Sequence, residues 1–383
     1  MNILIGADLV PTQSNFELFK NGDATALIGN ELQQILNNAD YRIFNLETPL
    51  TDVLSPIEKC GPALSAPVDT IAGYKSLGVD CLTVSNNHIM DQGEQGFAST
   101  INALKEKNIA YVGGAQNLKM ACAPHIVELD KKKFGIYACA EHEFSIATDT
   151  TPGANPFDPL ESLDHIVELK TKCDYVIVLY HGGKEHYRYP SPQLQKRCRK
   201  LIEKGADLVV CQHSHCIGCE EKYQNGTIVY GQGNFLFDYS KSEFWETSLL
   251  VKIENDFSIS YIPLQKQDNC VRLAQEGVAE KIISSFYERS EEIKSEQFVA
   301  SHYSEHANKM LKIYISGMGI VNSKNIIFRV LNKVTKNKLL VWMTRRKLNK
   351  KTRFGLQNYI ECEAHRELLL EGLKVSNKKR RIH

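Results

Sequence analysis

The run Val176-Ile177-Val178-Leu179-Tyr180 is apolar at every position. A strand of that kind has no polar face to give to water, so both faces must be covered. It therefore belongs inside a layered α/β structure. The surrounding sequence follows the same plan. Strand-like runs are expected at residues 3–7, 41–46, 81–85, 109–112 and 208–211, and helix-like runs at 29–39, 68–77, 96–107, 159–172 and 191–204. Residues 125–129 and 134–140, joined by Asp130-Lys131-Lys132-Lys133, read as a β-hairpin. Further strand-like runs at 227–230, 248–253 and 258–263 add antiparallel pairs. The expected class is α/β: two sheets packed as a sandwich and covered by helices.

The residues that follow the apolar runs repeat a theme. Asp8 follows Ile3-Leu4-Ile5, and Glu47 follows Ile43-Phe44. Asn87 and His88, with Asp91 beyond, follow Leu82-Thr83-Val84, His181 follows the all-apolar run, and His213 and His215 follow Val209-Val210. In α/β sheets ligands bind at the carboxyl ends of the strands, so these groups are expected to converge. The two histidines, spaced i, i+2, would share one face if the strand stayed regular. Taken singly, each residue has an ordinary explanation: Asp8 could cap a helix, Asn87 could hold a turn, and His181 could be a satisfied core histidine. Five strand ends alike point instead to a metal site. Asp8, Glu47, Asn87, His181, His213 and His215 form an oxygen/nitrogen donor set without thiolate, which suits one or two divalent ions (Mn, Fe, Zn or Mg), with Glu47 able to bridge. Two such ions activate water near neutral pH and clamp the oxygens of an in-line phosphoryl displacement. His88 would sit beside them, either as a group that assists an attacking or departing oxygen or as a further ligand or structural hydrogen bond.

Composition limits the alternatives. In 383 residues no apolar run is long enough to span a bilayer. Eleven cysteines and no secretory leader read as reduced thiols in a cytoplasmic protein. The single CxxC, Cys216-Ile217-Gly218-Cys219, lacks the second ligand pair of a structural zinc site, so its cysteines are expected to be small buried hydrophobes. From Lys324 onward there are 17 Lys and Arg against 4 Glu, whereas residues 1–323 carry 29 against 41 acidic residues. The basic charge is thus confined to the C-terminal part. From about residue 268 the strand pattern stops, and helices are expected at 278–292, 296–314, 326–340 and 359–373. The expected domains are therefore 1–267 and a helical, basic region 268–383. The run Arg345-Arg346-Lys347-Leu348-Asn349-Lys350-Lys351-Thr352-Arg353 could dock on the acidic body or meet an anionic surface.

In order, Asp8, Asn45-Leu46-Glu47-Thr48-Pro49, Ser85-Asn86-Asn87-His88-Ile89-Met90-Asp91, His181-Gly182-Gly183-Lys184-Glu185, Gly205-Ala206-Asp207, His213-Ser214-His215 and Gly233-Asn234-Phe235-Leu236-Phe237-Asp238 resemble the CapA (poly-γ-glutamate synthesis) family of the calcineurin-like metallophosphoesterase superfamily. The likeness covers roughly residues 1–265. It implies a four-layer α/β/β/α sandwich with a di-metal centre, in which the six residues above are ligands, Glu47 bridges and His88 is the catalytic group. Glu185, Glu221 and Asn234 are similar to family positions near the site, with a substrate-binding role. Two departures stand out. Val10 occupies the histidine position of the superfamily's usual DxH, and Leu46-Glu47 replaces its Gly-Asp, so one of the two metal positions should be weaker. The resemblance implies a metal-dependent hydrolase in bacterial capsule, poly-γ-glutamate or other surface-polymer biosynthesis. Its rivals are γ-glutamyl amide-bond processing and a non-catalytic assembly subunit. Expected partners are an anionic polymer or phosphoester substrate and, for the basic tail, the inner membrane face or other biosynthetic proteins. No specific nucleic acid is expected.

Overall fold

The computed structural model describes residues 1–317, 326–336, 338–347 and 350–361, with residues 365, 366 and 369. Contacts divide the chain into two compact units, Met1–Ala300 and Ser301–His383.

The first unit opens on β1 (Ile3–Val10), buried along its whole length, followed by α1 (Phe16–Lys20) and α2 (Ala24–Asn37). Asp23 caps α2 by accepting from the Ala26 N–H at 2.9 Å. The helix expected from residue 29 thus begins earlier, and Gly29 (φ 74°) sits inside it as a kink between two helical segments. β2 (Tyr41–Asn45), α3 (Ile71–Ser76), β3 (Cys81–Thr83), α4 (Gly93–Glu106) and β4 (Ala110–Val112) complete a parallel run β1-β2-β3-β4.

The chain then crosses to a second sheet through β5 (Gly114–Ala115) and α5 (Leu118–Ala121). The expected hairpin forms as β6 (His125–Leu129) and β7 (Lys132–Ala140), with Leu129 opposite Lys132. β8 (Gly153–Ala154), α6 (Ser162–Lys170), β9 (Tyr175–His181), α7 (Pro192–Glu203), β10 (Leu208–Gln212), β11 (Glu220–Tyr223) and β12 (Gly226–Val229) follow, giving the sheet order β11-β12-β10-β9-β7-β6. β13 (Asn234–Phe237), β14 (Thr247–Ile253), β15 (Ile259–Gln267) and β16 (Cys270–Leu273) return to the first sheet, whose order is β16-β15-β14-β1-β2-β3-β4 with β13 also on β1.

The all-apolar strand explains the layering. β9 lies between β7 and β10, parallel to both. Its Ile177 and Leu179 meet Ile3, Ile5, Ile43 and Val251 of the first sheet in one buried cluster. Its Val176, Val178 and Tyr180 face Ile166 and Leu169 of α6 and Leu201 of α7. On the far side of the first sheet, Leu4, Phe44 and Leu82 pack against Leu32, Tyr74 and Phe97 of α2, α3 and α4. The architecture is therefore α/β/β/α. Each fully buried Ile, Leu or Phe in these layers contributes ~1.5–3 kcal/mol of transfer free energy.

Residues 270–273, expected to open a wholly helical region, instead form β16, antiparallel to β15 across a turn at Asp268 (φ 52°). α8 (Glu276–Glu292) then places Ile282 and Phe286 in the cluster between the sheets, so residues 268–300 pack as part of the first unit. α9 (Glu296–Gly317) carries the chain into the second unit, which also holds α10 (Ile326–Val334), α11 (Lys338–Lys347) and α12 (Lys350–Glu361). The single helix expected over 326–340 is two, broken where Lys336 adopts φ 48°. Most of the helix expected at 359–373, residues 348 and 349 of the basic run, and Lys378-Lys379-Arg380-Arg381 lie outside the described residues. No helix among the described residues is long and apolar enough to cross a membrane.

Candidate metal centre

Asp8 lies within β1, Asn45 ends β2, His181 ends β9, and Glu47, Asn87, His213 and His215 stand just past β2, β3 and β10. The two sheets present these ends to one another, and the six expected ligands meet there. Two triplets, Glu47/His181/His213 and Asp8/Glu47/His215, each hold their ligand atoms within 4.8 Å of one another, with Glu47 common to both. His181 Nε2 lies 3.3 Å from Glu47 Oε1, 3.1 Å from His213 Nδ1 and 3.0 Å from Asn87 Oδ1. His215 Nδ1 lies 3.3 Å from Asp8 Oδ2 and 2.9 Å from Asn234 Oδ1.

The histidine pair reaches this geometry by leaving the strand. β10 stops at Gln212, and His213 (φ 88°) and His215 (φ 52°) both adopt left-handed backbone conformations. They do not share one face of a regular strand. The turned backbone sends His213 to one triplet and His215 to the other. Non-glycine residues in this region carry a conformational cost and tend to occur where surrounding structure holds them for function.

Asp8, Asn45, Asn86 and Glu47 are fully buried. Asn86 Nδ2 donates to Leu46 O at 2.8 Å and to Asn45 Oδ1 at 3.0 Å, which fixes the Asn45 amide so that its Nδ2 donates to Asp8 Oδ1 at 2.7 Å. Asp8 Oδ2 and both Glu47 carboxylate oxygens have no hydrogen-bond donor among the described residues. Buried carboxylate oxygens without a donor are costly, and a divalent cation satisfies them. The orphaned oxygens, the facing imidazole nitrogens and the Asn87 amide oxygen therefore fit one or two divalent ions.

Protonation follows from the same crowding. Burial, then the neighbouring Glu47 charge, raises the Asp8 carboxyl. Burial also pushes Glu47 upward, but the imidazoles of His181 and His215 outweigh it and hold Glu47 below its ordinary value. Burial, reinforced by His181, lowers His213 well below the usual imidazole range. Burial opposes protonation of His215 as well, yet Glu47 and Asp8 lift it to about 9. Without an ion the cluster balances its carboxylates with protonated imidazole, and cation binding displaces that proton.

His88 sits beside Asn87 in a network with Asp91 and Lys59, whose Nζ also reaches the Asn87 backbone oxygen at 3.5 Å. Its Nδ1 lies 2.6 Å from Asp91 Oδ2 and 3.1 Å from Lys59 Nζ, and Lys59 Nζ reaches Asp91 Oδ1 at 2.5 Å. Asp91 is fully buried and the Lys59 side chain is only 3% exposed. The Leu64 N–H also donates to Asp91 Oδ2, at 2.6 Å. Glu143 accepts from Asn87 Nδ2 at 3.2 Å. Lys59, Asn45, Asn86 and Glu143 escape a reading of strand ends by residue type. Lys59 and Glu143 arrive from loops, and the two amides hold the residues that would bind.

The remaining expected residues fall in three places. Asn234 touches His215. Glu185 is 43% exposed, with Oε1 4.0 Å from His213 Nε2. Glu221 pairs with Arg199 at 2.7 Å and accepts from Tyr230 at 2.7 Å, away from the cluster. Cys216 and Cys219 are buried, and burial raises their thiols, Cys216 to about 11, as small core residues would behave.

Known proteins are similar in sequence to part of this chain. CapA, a capsule biosynthesis protein of Bacillus anthracis, is 30% identical over 241 residues, covering 60% of this chain and 58% of that protein. The PGA biosynthesis protein CapA of Bacillus subtilis is 27% identical over 224 residues, covering 57% and 59%. The chain thus spans somewhat under two thirds of the length of these curated relatives. A solved phosphatase from Mycoplasma pneumoniae is similar at 15% identity and a TM-score of 0.44, over 70% of this chain and 94% of that one. The family described as bacterial capsule synthesis protein PGA_cap matches residues 7–239, more than half of the sequence, and the chain belongs to that family.

Proposed function

We propose that this chain is a metal-dependent hydrolase that cleaves a phosphoester during assembly of a bacterial surface polymer. The observation that carries this reading is the pair of buried triplets sharing Glu47, with carboxylate oxygens that have no hydrogen-bond donor among the described residues and face only imidazole nitrogens at 3.3 Å. Ions held there by Asp8, Glu47, Asn87, His181, His213 and His215 would supply Lewis-acid activation of water and neutralise phosphoryl charge. The protein's own part is positioning and proton transfer. Asn45 and Asn86 set the Asp8 carboxylate. Asp91 accepts from His88 Nδ1 and so orients the ring; in its imidazolium form His88 would give the Nε2 proton to the departing oxygen. Lys59 and the Leu64 N–H hold the Asp91 carboxyl in place. The surface-polymer setting is supported by family membership and by the names of the two relatives.

Those names also favour a second reading, hydrolysis of γ-glutamyl amide links, because the same ligand set can activate water toward a carbonyl. Mn²⁺-dependent cleavage of generic phosphomonoesters, phosphodiesters and a γ-glutamyl anilide separates the two. Under the phosphoester reading His88→Ala loses ~10²–10⁴-fold in rate, the usual contribution of a general acid, and His213→Ala loses metal-dependent activity. Undiminished phosphoester cleavage in both variants overturns the assignment, and cleavage confined to the anilide transfers it to the amide reading.

A further inference from the structure

Next to the metal centre lies a cleft of about 830 Å³, walled by residues 10–14 and 16, Thr48 with residues 63–65, and residues 237–239. It begins where the ligands end. Val10 is two residues past Asp8, and Thr48 follows Glu47 directly. The Phe237 ring packs 5.8 Å from the His215 ring. Another wall residue, Leu64, is bound through its N–H to Asp91 Oδ2, the oxygen that holds His88 Nδ1. A phosphoryl group at the metal centre would therefore have its ester substituent entering this cleft, beside both the ions and His88.

The lining is chemically specific. Its one charged side chain, Asp238, is neutralised by Lys266 at 2.5 Å and accepts from Ser14 Oγ at 2.6 Å. No cation lines the cleft among the described residues. Thr12 and Ser14 offer hydroxyls 2.9 Å apart, and Gln13 and Ser65 have no hydrogen-bond partner among the described residues. Tyr239, 57% exposed, presents a ring face 5.8 Å from Phe237 and inclined to it by 47°. Neutral hydroxyl and amide groups around an aromatic face suit a ligand with many hydroxyls and an apolar C–H surface. They do not suit a string of carboxylates, whose desolvation would go uncompensated. The inclined rings leave no parallel slot for a nucleobase.

Resting on the phosphoester reading above, we infer that this cleft binds the alcohol portion of the substrate and that this portion is a neutral polyhydroxylated group, a sugar or polyol. The Trp245 indole, 4.8 Å from Phe237 and 6.0 Å from Tyr239, is a built-in reporter. In the full-length Trp342→Phe protein with chelator present, titration with methyl glucoside and with ribitol should give a saturable change in Trp245 fluorescence at millimolar concentration. Tri-γ-glutamate and adenosine should not. Saturation-transfer NMR on the same four ligands reads binding without the indole, and Tyr239→Ala and Ser65→Val should each weaken polyol binding by about tenfold, roughly one lost good contact. Absence of a saturable response to either polyol, or an equal or stronger response to tri-γ-glutamate or adenosine, overturns the inference. Because these measurements need no turnover, they fail separately from the hydrolase reading. Generic phosphoester cleavage without polyol binding removes the cleft assignment alone, and polyol binding without any cleavage removes the catalytic reading alone.

Discussion

Glu47 is the residue on which both halves of the proposed metal centre depend. It is fully buried, belongs to both triplets, and neither of its oxygens has a hydrogen-bond donor among the described residues. Its neighbour Asp8 is half satisfied, by Asn45. Asn45→Leu keeps the volume but strips that donor, so Mn²⁺ affinity measured by calorimetry should fall ~10–100-fold, the usual cost of losing a partner behind a metal ligand. Val10, two residues past Asp8, turns to a small apolar cluster with Phe237 and Trp245. The position has become part of a cleft wall. Lys59 and Asp91 make a second test at this scale. Asp91→Asn or Lys59→Met alone leaves a buried charge without its partner and should cost ~3–5 kcal/mol in urea unfolding, whereas the double variant should cost clearly less than the sum. Additive losses would show that the two charges are not coupled. Asp8, Glu47, Asn87 and the histidines were legible because each follows an apolar run. Lys59 was not, because its role depends on a loop folding back 32 residues to Asp91.

β1 is the element that assembles the site. Its first half, Ile3–Ile5, pairs antiparallel with β14, and its second half pairs parallel with β13, placing Asn234 opposite Asp8. Gly6, where the strand changes neighbours, must be small, since a Cβ there would lie 2.2 Å from two Phe44 ring carbons. Gly6→Ala should therefore destabilise by ~1–3 kcal/mol through overpacking, and Phe44→Leu in the same chain should recover part of it. Chemical denaturation of the three proteins tests this, and a Gly6→Ala protein as stable as the parent would refute it. The strongly patterned elements were readable in advance: β9 from its unbroken apolar run, and the β6–β7 hairpin from two runs around a charged turn. β13 and β16 were not. Each is four residues long and is held as a strand by a neighbour distant in sequence, not by its own periodicity.

At the scale of the molecule, the metal centre should act as a clasp between two sheets. Glu47 comes from the first sheet and His181, His213 and His215 from the second, so a bound ion ties both and stabilises the folded state by mass action. At free Mn²⁺ about a thousandfold above Kd this amounts to ~4 kcal/mol, or a rise in Tm of about 10 °C for a unit of this size. Glu47→Gln should abolish most of that rise. Calorimetric melting with Mn²⁺ and with chelator reads the effect, and elemental analysis giving two ions per chain would show that both triplets are filled. A melting temperature indifferent to chelation would argue against the clasp. The layered α/β class and the order in which oxygen- and nitrogen-bearing side chains leave the strands were readable from the residues alone, because side-chain character and strand period are local properties. Only the tertiary structure decided that Glu47 is common to two triplets, that left-handed turns at His213 and His215 send the pair apart, and that Lys59 reaches Asp91. Those are distances between segments far apart in the chain, and they are set by how the two sheets close on one another.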